Sequence, residues 1–307
     1  MYSVARLSIV VYASLALASA TAPTPGTAQL QLAGPTRADR SAASGIPFGL
    51  FGMKGRNLVD PYTSAVQPAK PEAILGDLAA ARARGARIVV NFAGGGGGGG
   101  PVDAYGHFDY DSWKALVDRF RPIADQLNGY VADGTLFANL IIDEPSAKKR
   151  WGGDVPTATL DQMAEYSKSL FPKLTTAVRE GPRELQNYSW RYLDASWAQY
   201  TAKRAPVGEY VSTEAAAARA KGLGLIVGLN ISKGGDGSSG LGKSNEWSMT
   251  GKEILQYGHA LLDTPDACAF LSWDSRPNVI DRPEVAAALQ ELAAAAKAHP
   301  ATSCRGR

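Results

Sequence analysis

The stretch TLFANLIIDEP at residues 135–145 decides the fold. Residues 136–142 carry no charge and are rich in β-branched and bulky apolar side chains, the pattern of a strand covered on both faces. The run stops on two adjacent carboxylates, Asp143 and Glu144, followed by Pro145. Strands buried on both faces belong to parallel sheets flanked by helices. Such sheets collect their chemistry at the carboxyl ends of the strands. Asp143 and Glu144 therefore stand where a functional site is expected.

On either side of this strand the chain alternates strand and helix. Strands are expected at residues 46–53, 87–92, 135–144, 173–180, 192–200, 223–230 and 267–274, which makes the DEP strand the third of seven. Between them lie helical patterns at 71–84 (with Ile74, Leu75, Leu78 and Ala81 on one face), 110–131, 159–170 with Thr159 as a cap, 211–221 closed by Gly222, 250–262 and 283–299. Repeated βα units imply a parallel sheet with right-handed crossovers. The fold class expected is α/β, a (β/α)8-type TIM barrel. The eighth strand would lie within 184–189 or near the N-terminus, or the barrel is irregular. An open doubly wound sheet is the alternative, but its glycine fingerprint is missing after Met53.

The ends of the chain read differently. Residues 1–20 combine a short basic start containing Arg6, an apolar run at 7–17 and the small-residue triplet Ala18-Ser19-Ala20, the three parts of a secretory signal peptide. The apolar run is shorter than the roughly 20 residues needed to cross a bilayer. Residues 21–44, rich in Ala, Thr, Pro, Gly and Gln, are expected to be a disordered tether, with the barrel domain over 45–307. Export to the extracellular or periplasmic space follows, with no membrane association once the signal is removed. The two cysteines, Cys268 and Cys304, would both lie at the N-terminal end of the sheet and could pair there, as exported proteins allow. The formal charge of +3 is too small to argue for nucleic acid, and Lys148-Lys149-Arg150 reads as a solvated loop patch. A monomer is expected.

Two motifs invite over-reading. Residues 237–244 satisfy the G-x-x-x-x-G-K-[ST] phosphate-loop pattern. A phosphate loop must leave a strand and enter a helix at once, so that the helix N-terminus meets the phosphates. Intervening residues on both sides deny it that setting. The seven glycines at 94–100 lack a flanking nucleotide signature and read as a connector at the barrel mouth. No cofactor is expected. A metal site has little support, since none of His107, His259 and His299 falls at an expected strand end.

The polar residues at strand ends form a more persuasive set: Lys54, Asn91, Asp143 with Glu144, Glu180, Asp194, Gln199, Asn230 and Asp274. Trp151, Trp190, Trp197, Trp247 and Trp273 accompany them. Carboxylates among indole rings suit a sugar, because acids transfer protons or attack while flat rings stack on pyranose faces. Cleaving a glycosidic bond needs two flanking carboxyl groups, one kept protonated by its surroundings. Any one of these acids could instead cap a helix or pair with Arg or Lys. Alternation also forbids Asp143 and Glu144 from both pointing inward unless the strand bends. Glu144, nearer the mouth, is the preferred general acid.

A carboxylate-Glu-Pro strand end combined with Trp273-Asp274 closing the last strand resembles the TIM-barrel glycoside hydrolase superfamily. That resemblance implies Glu144 as acid/base and Trp273 as sugar platform. Trp197, Gln199, Asn91, Asn230 and Lys54 are candidate substrate contacts. The chain departs from the pattern in having Asp143 for the usual asparagine, in the strand number of DEP, and in lacking a glutamate on the penultimate strand. The second carboxylate is open among Asp274, Asp194 and Glu180. The expectation is an exported hydrolase cleaving glycosidic bonds, with a non-catalytic carbohydrate-binding barrel as the alternative.

Overall fold

The computed structural model describes residues 45–94, 100–243, 246–300 and 302–305. The expected signal and tether, and glycines 95–99, lie outside the described residues. Eight parallel strands close into a barrel: β1 (Phe48–Phe51), β2 (Ser64–Pro68), β3 (Arg87–Asn91), β4 (Leu136–Asp143), β5 (Thr175–Arg179), β6 (Ala195–Tyr200), β7 (Gly224–Leu229) and, last in sequence, β10 (Ala267–Ser272), which pairs back onto β1. A small antiparallel ribbon, β8 (Gly242–Lys243) and β9 (Glu246–Trp247), rides on the loop after β7.

The helices are α1 (Pro71–Ala83), α2 (Tyr110–Asp118), α3 (Ala124–Ala132), α4 (Lys148–Trp151), α5 (Thr157–Leu170), α6 (Val207–Ala220), α7 (Gly251–Leu262), α8 (Pro277–Ile280) and α9 (Pro283–Ala298). The ring they form has a gap. Residues 180–194, between β5 and β6, contain no helix and descend the outer wall as extended chain and turns.

Two apolar layers hold the barrel. The larger lies between strands and helices and includes Ile74, Leu78, Trp113, Val117, Phe120, Phe171 and Leu289. The smaller draws Phe51, Val66, Val89, Leu140, Ala177, Trp197, Ile226 and Leu271 from all eight barrel strands, which only the interior can do. Alanines 138, 177, 195 and 269 keep this interior narrow enough for Trp197 to fill it, consistent with a packed core rather than a pore. Cys268 and Cys304 join it and are disulfide-bonded with Cα atoms 5.1 Å apart, so the pairing favoured from the sequence forms. The C-terminal tail reaches β7 at this base: a Cβ on Gly224 would come within 2.5 Å of the Cys304 carbonyl.

Several sequence expectations are corrected. The eighth strand is β2, which the residues hid because SAVQP offers two apolar side chains and a terminal proline. DEP consequently ends the fourth barrel strand, not the third, and residues 184–189 form no strand. The long helix expected over 110–131 breaks into α2 and α3 around a 3-10 turn at Arg121–Ile123, where Pro122 cannot donate. Helix α5 starts at Thr157 behind Pro156, so Thr159 lies inside it and is not its cap. Thr250 does cap α7, in a reciprocal pair with Glu253. The phosphate-loop pattern runs into β8 of the ribbon: β7 ends at Leu229 and α7 starts only at Gly251, so it follows no barrel strand and enters no helix.

Candidate functional site

The strand carrying DEP bends near its carboxyl end. The register of β4 against β5 shifts between Leu140 and Ile142, leaving Ile141 as an extra residue. Such a bulge re-aims the residues that follow it. Leu140 belongs to the barrel interior, whereas Asn139 points outward and donates to Ser167 of α5 at 3.0 Å. After the bulge Asp143 turns to the interior side, buried at 4% exposure. Glu144 then adopts a left-handed backbone, φ 51°, and its side chain emerges 48% exposed. The Trp151 indole donates to the Glu144 carbonyl at 2.8 Å and pins this turn.

Both carboxylates meet the same guanidinium. Arg179, at the end of β5 and opposite Asp143 in register, donates through Nε to Asp143 Oδ1 and lies 3.2 Å from Glu144 Oε1 through Nη2. Arg150, from α4, donates to Asp143 Oδ2 at 2.6 Å and lies 3.6 Å from Glu144 Oε2. Burial pushes the Asp143 carboxyl up, but the two guanidinium groups outweigh it and hold the pKa below the usual carboxylate range. Arg179 also donates to Gln199 Oε1 at 3.0 Å and lies over the Trp273 ring at 5.3 Å. Trp273 is partly exposed and backed by Phe51, ring centres 4.6 Å apart. It is followed by a cis peptide to Asp274.

The other candidates separate. Asp274 is nearly buried and held by Arg276, with Nε at 2.8 and 3.1 Å from its two oxygens and the Arg276 backbone N–H at 3.0 Å. It orders the loop after β10. Asp194 does not reach the mouth: it precedes β6 at the opposite end, where it pairs with Lys168 at 2.5 Å and accepts from the Thr176 backbone at 2.9 Å. That placement removes it from the catalytic set. Glu180 follows Arg179 but faces the other way, accepting from Ser146 Oγ at 2.5 Å and from its backbone N–H at 3.2 Å. Burial first, and then its hydrogen bond with Glu184, push Glu180 up to about 7.

Among the expected sugar contacts, Trp197 is buried within the barrel and presents no face to a ligand, which corrects its assignment. Lys54 is exposed on the loop after β1. Asn230 caps the turn after β7, its Oδ1 accepting from Lys233 N–H at 3.0 Å. Gln199 Nε2 and Asn91 Oδ1, at the ends of β6 and β3, are buried with no hydrogen-bond partner among the described residues.

The residues that sequence reasoning missed are the arginines. Arg179 was legible in principle: next to Glu180 on a strand it must face oppositely, and the inward position belongs to only one of them. Arg150 stood in a patch read as solvated, yet its side chain is only 25% exposed. Among the described residues no group of three or more His, Cys, Asp or Glu is arranged to hold a metal ion, and no helix is long and apolar enough to cross a membrane.

No protein-family model matches the chain, and no curated protein matches its sequence. The fold does have solved counterparts. The endoglucanase Cel5A from Pseudomonas stutzeri superposes with a TM-score of 0.53 at 11% identity, over 84% of this chain and 95% of that one. A GH5_18 protein from Bifidobacterium longum subsp. infantis gives 0.52 at 11% identity, over 85% and 81%. An endocellulase from Pyrococcus horikoshii, solved with cellotetraose, gives 0.52 at 10% identity, over 81% and 92%. At this identity the likeness is one of fold: the chain shares the TIM-barrel architecture of these structures.

Proposed function

We propose that this chain is a glycan-binding barrel whose mouth holds a sugar without hydrolysing it. The observation that carries this reading is the shared guanidinium: Asp143 and Glu144 both pair with Arg179 and Arg150. A general acid must keep its proton near working pH, whereas at Asp143 the two guanidinium groups favour the charged carboxylate, and the Glu144 oxygens are engaged by the same two side chains. Asp274 is likewise paired with Arg276, and Asp194 lies at the far end of the barrel. Glycan recognition is supported by the partly exposed Trp273 at the mouth and by the unpaired amide atoms of Gln199 and Asn91. Buried groups of that kind gain from a hydroxyl partner. The glycoside hydrolase fold agrees with the same ligand class. The signal pattern of residues 1–20 supports export, and the disulfide is compatible with it. Monomeric action is part of the proposal.

Hydrolysis with Glu144 as acid is the second reading, favoured by the half-exposure of that side chain on its left-handed turn. Calorimetric titration with soluble β-glucan, xylan and mannan, beside a reducing-sugar assay on the same polymers, separates the two. Binding predicts no sugar release, undiminished affinity in Glu144→Gln and lost affinity in Trp273→Ala. Sugar release by the native chain that disappears in Glu144→Gln would overturn it in favour of the hydrolase.

A further inference from the structure

The gap in the helical ring is a cavity. With no helix between β5 and β6, a groove of about 1060 Å³ opens on the outer wall. One side is a single face of α5, formed by Ala158, Asp161, Gln162 and Glu165, whose spacing of three and four residues lines them up. The other side is residues 187–192 of the descending segment, with Ala220 and Lys221 from the end of α6.

The groove is polar and fixed in shape. Asp161 is buried at 4% exposure, and its carboxylate accepts from the backbone N–H groups of Arg191, Tyr192 and Leu193 at 2.9 to 3.2 Å, clamping the segment to α5. The neighbouring Glu165 carboxylate raises the Tyr192 pKa. Tyr188 is 39% exposed, and its ring stands edge-on to the buried Trp190 at 5.1 Å between centres. Two aromatic rings are thus presented already ordered, beside the exposed polar side chains Asn187, Ser189, Gln162 and Arg191.

A helix supplied by a partner protein would need an apolar stripe to cover, and the α5 face offers Asp161, Gln162 and Glu165 instead. Pre-ordered rings flanked by amide, hydroxyl and guanidinium groups suit a polyhydroxylated ligand with apolar faces, because little ordering is lost on binding. We propose that this groove is a second glycan-binding site, separate from the mouth, in which Tyr188 and Tyr192 stack on the sugar and Gln162 and Asn187 hydrogen-bond its hydroxyls. The choice of ligand class rests on the glycan reading of the mouth; the site itself does not.

Affinity electrophoresis of the full chain through gels containing soluble β-glucan, xylan or mannan tests it, with Tyr188→Ala, Gln162→Ala and Trp273→Ala beside the native protein. Tyr188 and Gln162 are exposed, so both groove variants are expected to keep the native melting temperature. Each should weaken retardation by one of the polymers, Tyr188→Ala by roughly fivefold to tenfold, the effect of losing an aromatic anchor. Trp273→Ala should leave residual retardation that Tyr188→Ala then removes. Unchanged retardation in both groove variants, with complete loss in Trp273→Ala, overturns the second site and leaves the mouth reading standing. Complete loss in Tyr188→Ala with none in Trp273→Ala supports the groove and overturns the mouth. A native chain retarded by none of the polymers overturns both.

Discussion

Arg179 determines what the DEP turn can do. It is buried with Asp143, and burial alone would lower its pKa, but Asp143, Glu144 and Glu180 around it raise the value. Replacing it by methionine leaves Asp143 buried with Arg150 as its remaining partner. Breaking a buried pair from one side costs roughly 3–5 kcal/mol, and the retained Arg150 puts Arg179→Met at the lower end of that range. Urea denaturation measures the loss, and a change below about 1 kcal/mol would mean that the pair contributes little. Glu180 gives a pH signature of opposite origin. Its folded value of about 7 exceeds the ordinary 4.5, so between those values the folded state binds more protons than the unfolded one. The stability it contributes is complete below about 4.5 and is lost as pH rises through 7. Glu184, lowered by its partners, does not carry that proton. Thermal melts should show midpoints falling from pH 5 to 8 in the native chain and a flatter profile in Glu180→Gln. Parallel profiles would remove the shift. At this scale the acids were legible in the sequence, and the facing of Arg179 was legible in principle, whereas the pairing of arginine with acid was not, since pairing is a property of the closed barrel and not of local spacing.

Among the elements, long apolar strands declared themselves and the short polar one did not. Strand β2 is held by side-chain bonds that no period records: Ser64 donates to the Arg87 carbonyl, and Gln67 both accepts from Gly55 N–H and donates to Asp77. Missing it moved DEP from the fourth strand to the third. The bulge at Ile141 was equally invisible, since it exists only against β5. Glycines, by contrast, mark where elements touch. A Cβ on Gly228 of β7 would lie 1.6 Å from the Leu271 carbonyl of β10 and 3.2 Å from Trp197 Nε1. Gly228→Ala should therefore pry these strands apart, costing at least the upper end of about 1–3 kcal/mol seen for overpacking. Gly76, exposed within α1, meets nothing within 4 Å. Gly76→Ala should stabilise by roughly 0.5–1 kcal/mol through helix propensity. The contrast in denaturation midpoint between the two variants is the check: equal effects would mean that the β7–β10 approach has room to relax.

For the barrel as a whole, the two ends carry different tasks. Conserving the barrel's closure falls to the base, where the tail returns beneath β7 and Cys304 bonds Cys268 near the start of β10. On the reading proposed above, ligand contact falls to the mouth, where the strands end on Gln199, Arg179 and Trp273. The bonded cysteines are 36 residues apart, and a loop of that size corresponds to about 4 kcal/mol of unfolded-state entropy in the chain-closure model. Much of this loop is α9, which packs Leu289 and Leu292 into the outer core whether or not the bond is present. Cys304→Ser should therefore lower the denaturation midpoint by up to that amount while the chain still folds. Reducing the native protein with dithiothreitol should reproduce the shift. Sugar affinity at the mouth should be unchanged in both cases, because the packed interior from Phe51 to Leu271 lies between the disulfide and the site. A midpoint that ignores both treatments would show that α9 alone closes the base. Lost affinity in a folded Cys304→Ser chain would show that mouth and base are coupled through the interior, and would undo the division of labour between them.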